Sequence, residues 1–390
     1  MRAQPRWLTA LAVPLALAVA ACSAASGAES SSTGGGSASS AGQIIVGATL
    51  SLTGSLDAVG PPLQAGYEQE VADVNAAGGI AIGGVKEKLR LVILNNDSDP
   101  STASAQAQQL VQQDHAVALL GFATPLIVMP VATMAEQLRI PFLTSLMPVE
   151  AFANGDKTGW NYSWDLFYDE QQQATAAAKA LAAAPGNKKV ALFTDNEPDS
   201  VVERPLYEAA LKADGLDVVG DYTFGVGTTD FSSLIADAHA AGAQLLAGQL
   251  APGDAAALSR QLTSSGFRPK ASFLATTSDA GYGGQSLGGL GHDSLSGGYW
   301  RPGQASPGQL AIVTPTLGKK YAGSSSYAAA AVGYAVAEVL TDALARADSA
   351  NPGKLNAAIG QTDARTTAGL ITFSQSTHTA TTLYSVSQGQ

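Results

Sequence analysis

Past about residue 43, short apolar runs alternate with longer stretches that carry apolar side chains every three or four positions. Ile44 to Leu50 is a β-branched run of strand character. From Pro61 to Ala77, Leu63, Tyr67, Val71 and Val74 recur at helical spacing, and Gly78-Gly79 ends the stretch. Leu89 to Leu94 reads as a strand and Ser101 to Gln113 as a helix, entered through Asp99-Pro100-Ser101, where a side-chain oxygen can cap free N–H groups. Ala116 to Leu120 and Ile140 to Thr144 read as strands, flanking a helix from Leu126 to Leu138 kinked near Pro130.

The alternation then starts again. Helices are predicted over Glu170 to Ala184, Val201 to Ala213, Phe231 to Ala241 and Asp254 to Ser265. Between them lie strands at Lys189 to Thr194, Asp217 to Phe224, Gln244 to Leu250 and Ala271 to Ala275. Tyr327 to Ala347 is a long helix, and two strands follow near Leu370 to Phe373 and Thr382 to Val386. Short apolar strands separated by helices imply right-handed crossovers and parallel sheets. Two successive sets imply an α/β protein of two such lobes, and a chain of 390 residues is long enough for two cores.

The N-terminus is of another kind. Arg2 and Arg6 precede an uncharged apolar run, Leu8 to Ala21, that suits a signal peptide better than a membrane span. It ends in Val19-Ala20-Ala21-Cys22, which resembles the lipobox of bacterial lipoproteins. That resemblance implies a signal peptide over 1–21 and lipidation of Cys22, with an ordinary secretory signal as the alternative. Residues 22–42 are nearly all Ser, Gly and Ala, without the bulky side chains that offset the entropy of ordering, and read as a tether. Cys22 is the only cysteine, so no intrachain disulfide and no cysteine-based metal site or catalytic thiol is expected. The net charge is −11 and no basic patch is present, which argues against a nucleic-acid partner.

Gly47-Ala48, Leu52-Thr53-Gly54, Gly60, Gly66 and Asn75 to Ile80 together resemble the opening of the leucine/isoleucine/valine-binding proteins of bacterial ABC importers. Asn96-Asp97-Ser98-Asp99-Pro100, Asp230 to Ile235, Tyr334 and Gly369 to Phe373 extend the resemblance from Ile44 to the C-terminus. It implies two Rossmann-like lobes, 43–163 with 301–370 and 164–300 with 371–390, joined by three crossovers near Ser163, Tyr299 to Arg301, and Leu370. It also implies a small-molecule ligand held between the lobes, a membrane permease as partner, an extracytoplasmic anchored monomer, no cofactor or metal, and no catalysis. A ligand sensor for a signalling partner shares the same fold.

By the same resemblance, ligand contacts fall at Thr53, at Ala123 and Thr124, at Leu146 and Met147, at Gln249, and at Thr277 or Asp279 in the second lobe. Amino-acid binders carry a glutamate where Thr277 stands here, and Pro148 has no N–H to offer. A buried ammonium without a counter-charge is costly. The ligand is therefore expected to be an amphipathic solute, either branched-chain amino acid-like or an aromatic or acyl carboxylate, and the second is favoured. Aromatics make up only 6% of the chain, yet Trp160, Tyr162, Trp164, Phe167 and Tyr168 crowd the first expected crossover and Trp300 sits at the second. Trp164, Tyr168 and Trp300 are candidates for flat apolar walls, with interlobe packing as the alternative. Gly284-Gln285-Ser286-Leu287-Gly288 matches the hydrolase pattern G-x-S-x-G, but it lies in a glycine-rich loop rather than on a strand–helix elbow, so catalysis by Ser286 is disfavoured. His115, His239, His292 and His378 lack metal-ligand spacing.

Overall fold

The computed structural model describes residues 42–390 except 123, 277–293, 302–304, 306, 323, 325, 383 and 389–390. The expected leader, Cys22 and most of the tether lie outside the described residues, as do Ala123, Thr277, Asp279, Ser286 and His292.

The first set of elements runs β1 (Gln43–Leu50), α1 (Gly60–Ala76), β2 (Ile80–Ile82), β3 (Val85–Asn95), α2 (Pro100–Gln112), β4 (Ala118–Leu120), α3 (Pro125–Leu138), β5 (Phe142–Ser145), α4 (Val149–Ala153) and β6 (Ser163–Tyr168). The second runs α5 (Glu170–Ala183), β7 (Lys189–Asp195), α6 (Pro198–Ala213), β8 (Asp217–Phe224), α7 (Ser232–Ala240), β9 (Leu245–Leu250), α8 (Pro252–Ser265), β10 (Ala271–Thr276) and β11 (Leu295–Gly298). Then come α9 (Pro307–Val313), a π-helical turn (Thr314–Gly318), α10 (Lys319–Tyr321), α11 (Ser326–Ala347), α12 (Pro352–Gly360), the hairpin β12 (Asp363–Thr366) and β13 (Gly369–Thr372), β14 (Thr379–Thr382) and β15 (Ser385–Gln388).

Two sheets result. The first has the order β14-β6-β5-β4-β1-β3-β2, parallel throughout except for the β2–β3 hairpin. The second, β10-β9-β7-β8, is wholly parallel. Central strands such as β6 and β9 are buried at every position, as parallel strands covered by helices on both faces must be. Asp99 caps α2 as its sequence suggests, accepting the Thr102 N–H at 2.7 Å.

The strand pairings move the crossovers. The sequence reading assigned 164–168 and 371–390 to the second lobe. Instead β6 pairs with β5, and β14 pairs with β6 on the first sheet, whereas β15 pairs with β11. The chain thus leaves the first sheet after Tyr168, and crosses for the last time between β14 and β15. The last strand near Thr382 is really two, because β14 (TATT) has no apolar run to mark it.

The first core is built on α1 against α11. Gly66 and Gly333 let the backbones touch: a Cβ on Gly66 would lie 2.2 Å from the Ala330 carbonyl oxygen and 2.5 Å from the Tyr334 nitrogen. Helix α11 is long and apolar enough to span a bilayer, but 83% of its apolar window is buried within the fold, as befits a core helix. Acidic groups line the far half of this contact. Thr341 donates to Glu70 at 2.7 Å, Tyr334 donates to Asp73 at 3.0 Å, and Glu338 accepts the Thr367 N–H at 2.6 Å. Burial pushes the Glu338 carboxyl up to about 7. A methyl group forced into the Gly66 contact should separate the helices. Gly66→Ala is expected to cost about 1–3 kcal/mol in denaturant unfolding, and a variant as stable as the parent would refute this account of the crossing.

Candidate functional site

The C-terminal ends of parallel strands and the helix starts that follow them collect uncommitted polar groups. In the first lobe they belong to β1, β3, β4, β5 and β6. The turn after β3 is stitched to the loop after β1. Asn95 donates to Thr53 Oγ1 at 2.8 Å, Thr53 Oγ1 donates to Asp97, and Ser98 Oγ donates to the Thr53 carbonyl at 2.8 Å. Thr53 is exposed, and its hydroxyl is engaged in holding these two loops together.

After β4, Thr124 adopts the extended backbone of an N-cap for α3 but spends no side-chain bond on the helix, leaving its hydroxyl available among the described residues. Leu126 beside it is 65% exposed. After β5, Leu146 sits at φ 60°, a left-handed backbone that a branched side chain rarely adopts. Met147 turns the other way and is fully buried in the core with Phe152 and Trp160. In the second lobe, Val201 and Val202 stand exposed in the first turns of α6, which follows β7. Gln249 lies below the surface in a buried knot, where the Gln173 side-chain amide donates to Gln249 Oε1 at 3.0 Å and to the Tyr207 hydroxyl at 2.9 Å.

The expected aromatic walls are placed differently. Each described tryptophan is buried with its indole N–H held internally: Trp160 by the Phe152 carbonyl at 2.7 Å, Trp164 by Asn356 at 2.8 Å, and Trp300 by the Thr367 carbonyl at 2.8 Å. Trp164 stacks on His378 with ring centroids 3.7 Å apart, and Trp300 packs edge-on to Tyr327. Tyr168 is 7% exposed and belongs to a cluster with Phe167, Tyr299 and Tyr384, at centroid distances of 4.3, 6.5 and 4.8 Å. These four rings come from the three places where the chain passes between the sheets. The indoles therefore pack inside the fold, against partners on first-lobe elements rather than between the lobes.

A group the sequence reading missed lies where β6 hands over to α5. Asp169 caps α5 by accepting the Gln172 N–H at 3.0 Å. Glu150 and Glu170 exchange bonds across the junction: each backbone N–H donates to the other's carboxylate at 3.3 Å. Burial, and then the Asp169 charge, push the Glu150 carboxyl up to about 7. Asp169-Glu170 reads in sequence only as a helix start, and nothing local connects it to a glutamate twenty residues earlier.

The family model described as periplasmic binding protein matches residues 43–390. An amino acid binding protein of Pseudomonas aeruginosa is 27% identical over 57% of this chain and 58% of its own length. The chain thus spans a little under three fifths of the curated relatives it matches. The branched-chain amino acid transporter substrate binding protein of Streptococcus pneumoniae, solved with isoleucine, aligns with a TM-score of 0.72 at 20% identity, covering 89% of this chain and 96% of the other. A solute binding protein of R. palustris, solved with 4-hydroxybenzoate, aligns with a TM-score of 0.71 at 17% identity, covering 89% and 93%.

The raised carboxyls set a pH dependence. Glu150 and Glu338 hold protons in the folded state that the unfolded chain releases near the ordinary glutamate value of 4.5. Their contribution to stability is complete below that value and lost as pH rises through about 7. The melting temperature should fall between pH 5 and pH 8 by about 2 °C or more, and Glu150→Gln should flatten part of that fall. An equally steep fall in the variant would remove Glu150 from the account.

Proposed function

This chain belongs to the periplasmic binding protein family, and from that premise we propose that it is the extracytoplasmic substrate-binding component of an ABC importer. The observation that carries the reading is the pairing of two parallel-sheet lobes whose strand ends offer polar groups beside exposed apolar side chains. The Thr124 hydroxyl and the positive end of the α3 dipole suit the anionic end of a small solute. Leu126, Leu146, Val201 and Val202 suit an apolar body. The ligand is therefore a small amphipathic carboxylate, branched-chain amino acid-like or aromatic. Isoleucine and 4-hydroxybenzoate in the two related structures bracket that class. The solute is held between the lobes, which close on it by bending at the crossovers. The permease in the membrane receives it from the closed form. Acylation at Cys22 and the tether of residues 22–42 keep the binding unit at the membrane surface.

Two measurements test this. A thermal-shift panel of amino acids and aromatic acids should contain a solute that raises the melting temperature, since a ligand that binds only the folded state stabilises it. That solute should also reduce the radius of gyration in small-angle scattering; an unchanged radius at saturation would contradict lobe closure. Separately, Cys22→Ser should release the protein into the soluble fraction, and continued tight membrane association would sink the anchor.

A further inference from the structure

Three strands of the first sheet bring three polar side chains into one buried row. Thr144 on β5 pairs with Asp165 on β6, and Asp165 pairs with Thr379 on β14. Registered residues of neighbouring parallel strands point to the same face, and such strands lie about 4.8 Å apart. This face is covered by α4, which packs on β6 and β14, and by α3, whose Ala132 carbonyl accepts the Ser163 hydroxyl two residues before Asp165. Thr144 and Asp165 are 0% exposed and Thr379 is 6% exposed. Buried polar groups so placed normally satisfy one another. Here Thr144 Oγ1 and both Asp165 carboxylate oxygens are buried without a hydrogen-bond partner, and Thr379 Oγ1 makes one bond, at 2.7 Å, with the Thr377 hydroxyl. Among the described residues, only the Leu166 N–H, outside hydrogen-bond geometry, opposes the upward push of burial on the Asp165 carboxyl.

Oxygens on strands at that spacing that do not bond one another can be joined by one bridging atom, and their chemistry narrows what it is. A water molecule brings only a dipole to a carboxyl that burial keeps from ionising, whereas a cation brings the missing counter-charge. The donors are all hard oxygens, which suit a hard cation rather than a soft one. They carry one negative charge among them, which matches a single positive charge. Among the described residues, no group of three or more carboxylate, imidazole or thiolate side chains gathers to hold a more highly charged metal. We propose that Thr144, Asp165 and Thr379 form an internal site for a monovalent alkali cation, sodium or potassium, lodged between β5, β6 and β14. The way in runs along the sheet edge: β14 is the outermost strand, Thr377 is half-buried and Thr381 is exposed. The ion has a structural task there. Strand β14 is three threonines and an alanine, with little apolar surface to hold it, yet it leads into the last crossover, while its neighbour β6 leads into the first. A cation shared by three strands fastens that edge and fixes where two of the crossovers begin.

Thermal unfolding of the purified full-length protein at about pH 8, where protons compete least for a carboxylate, tests the site. Choline chloride is exchanged for sodium or potassium chloride at constant ionic strength; choline carries the same charge but is too bulky to enter. Replacing about 100 mM choline by the bound ion should raise the melting temperature by about 2 °C or more. Asp165→Asn keeps the shape of the side chain and removes its charge, and should cut that shift to less than about a quarter. Thr379→Val, at the sheet edge, should move the midpoint of the response to about tenfold higher ion concentration, and it carries the test should Asp165→Asn not fold. Equal melting temperatures in sodium, potassium and choline overturn the site and leave Asp165 as a buried neutral acid. A full response retained in Asp165→Asn, or an unshifted midpoint in Thr379→Val, places the ion elsewhere and overturns it equally.

Discussion

Four aromatic rings fix what the rest of the molecule can do. Phe167 and Tyr168 end the last strand before the first crossover, Tyr299 follows β11, and Tyr384 lies between β14 and β15. All are at most 7% exposed and pack on one another. Three strands of chain that pass between two sheets are thereby held side by side. A single linker would let the lobes swing in any direction, whereas three linkers packed through their rings leave bending as the easy motion. The ring contacts are soft in angle, since tilted and offset arrangements of aromatic pairs differ little in energy. A clasp of this kind tolerates rotation without losing burial.

Such a hinge is useful only between stiff bodies, and the first lobe shows how stiffness arises. Gly66 and Gly333 allow α1 and α11 to meet backbone to backbone, where side chains have no room to rearrange. Buried and half-buried carboxylates in the same helix pair are tied to hydroxyl and N–H donors. Asp165, in the middle of the first sheet, has both oxygens unpartnered, and burial holds its carboxyl well above the usual range. Burial favours its neutral form.

The architecture was legible because parallel strands are apolar on both faces and their helices are amphipathic; β8 occupies the very span its alternation suggests. Elements without such a signature were invisible. Helix α4 is only five residues long, and β14 is three threonines and an alanine. The site was less legible, for a physical reason. That Thr124 and Leu146 stand just past strand ends was legible because strand ends and helix starts mark themselves locally. The tryptophans were ambiguous because an indole near a crossover satisfies a packing rule and a binding rule equally well in sequence; the partner of its N–H shows what it packs on. Glu150 and Glu170 could not be paired at all, since their contact depends on how two helix starts meet in space.

The interior location of the indoles has a spectroscopic corollary. Trp160, Trp164 and Trp300 lie in apolar surroundings with their N–H groups already engaged. Their emission belongs at the blue end of the tryptophan range. Tyrosine is different: Tyr168, Tyr299 and Tyr384 sit at the pivot itself, where a change of lobe angle changes their mutual orientation. In this molecule near-ultraviolet dichroism of the phenol bands, rather than quenching of intrinsic fluorescence, is the optical channel through which lobe movement becomes visible.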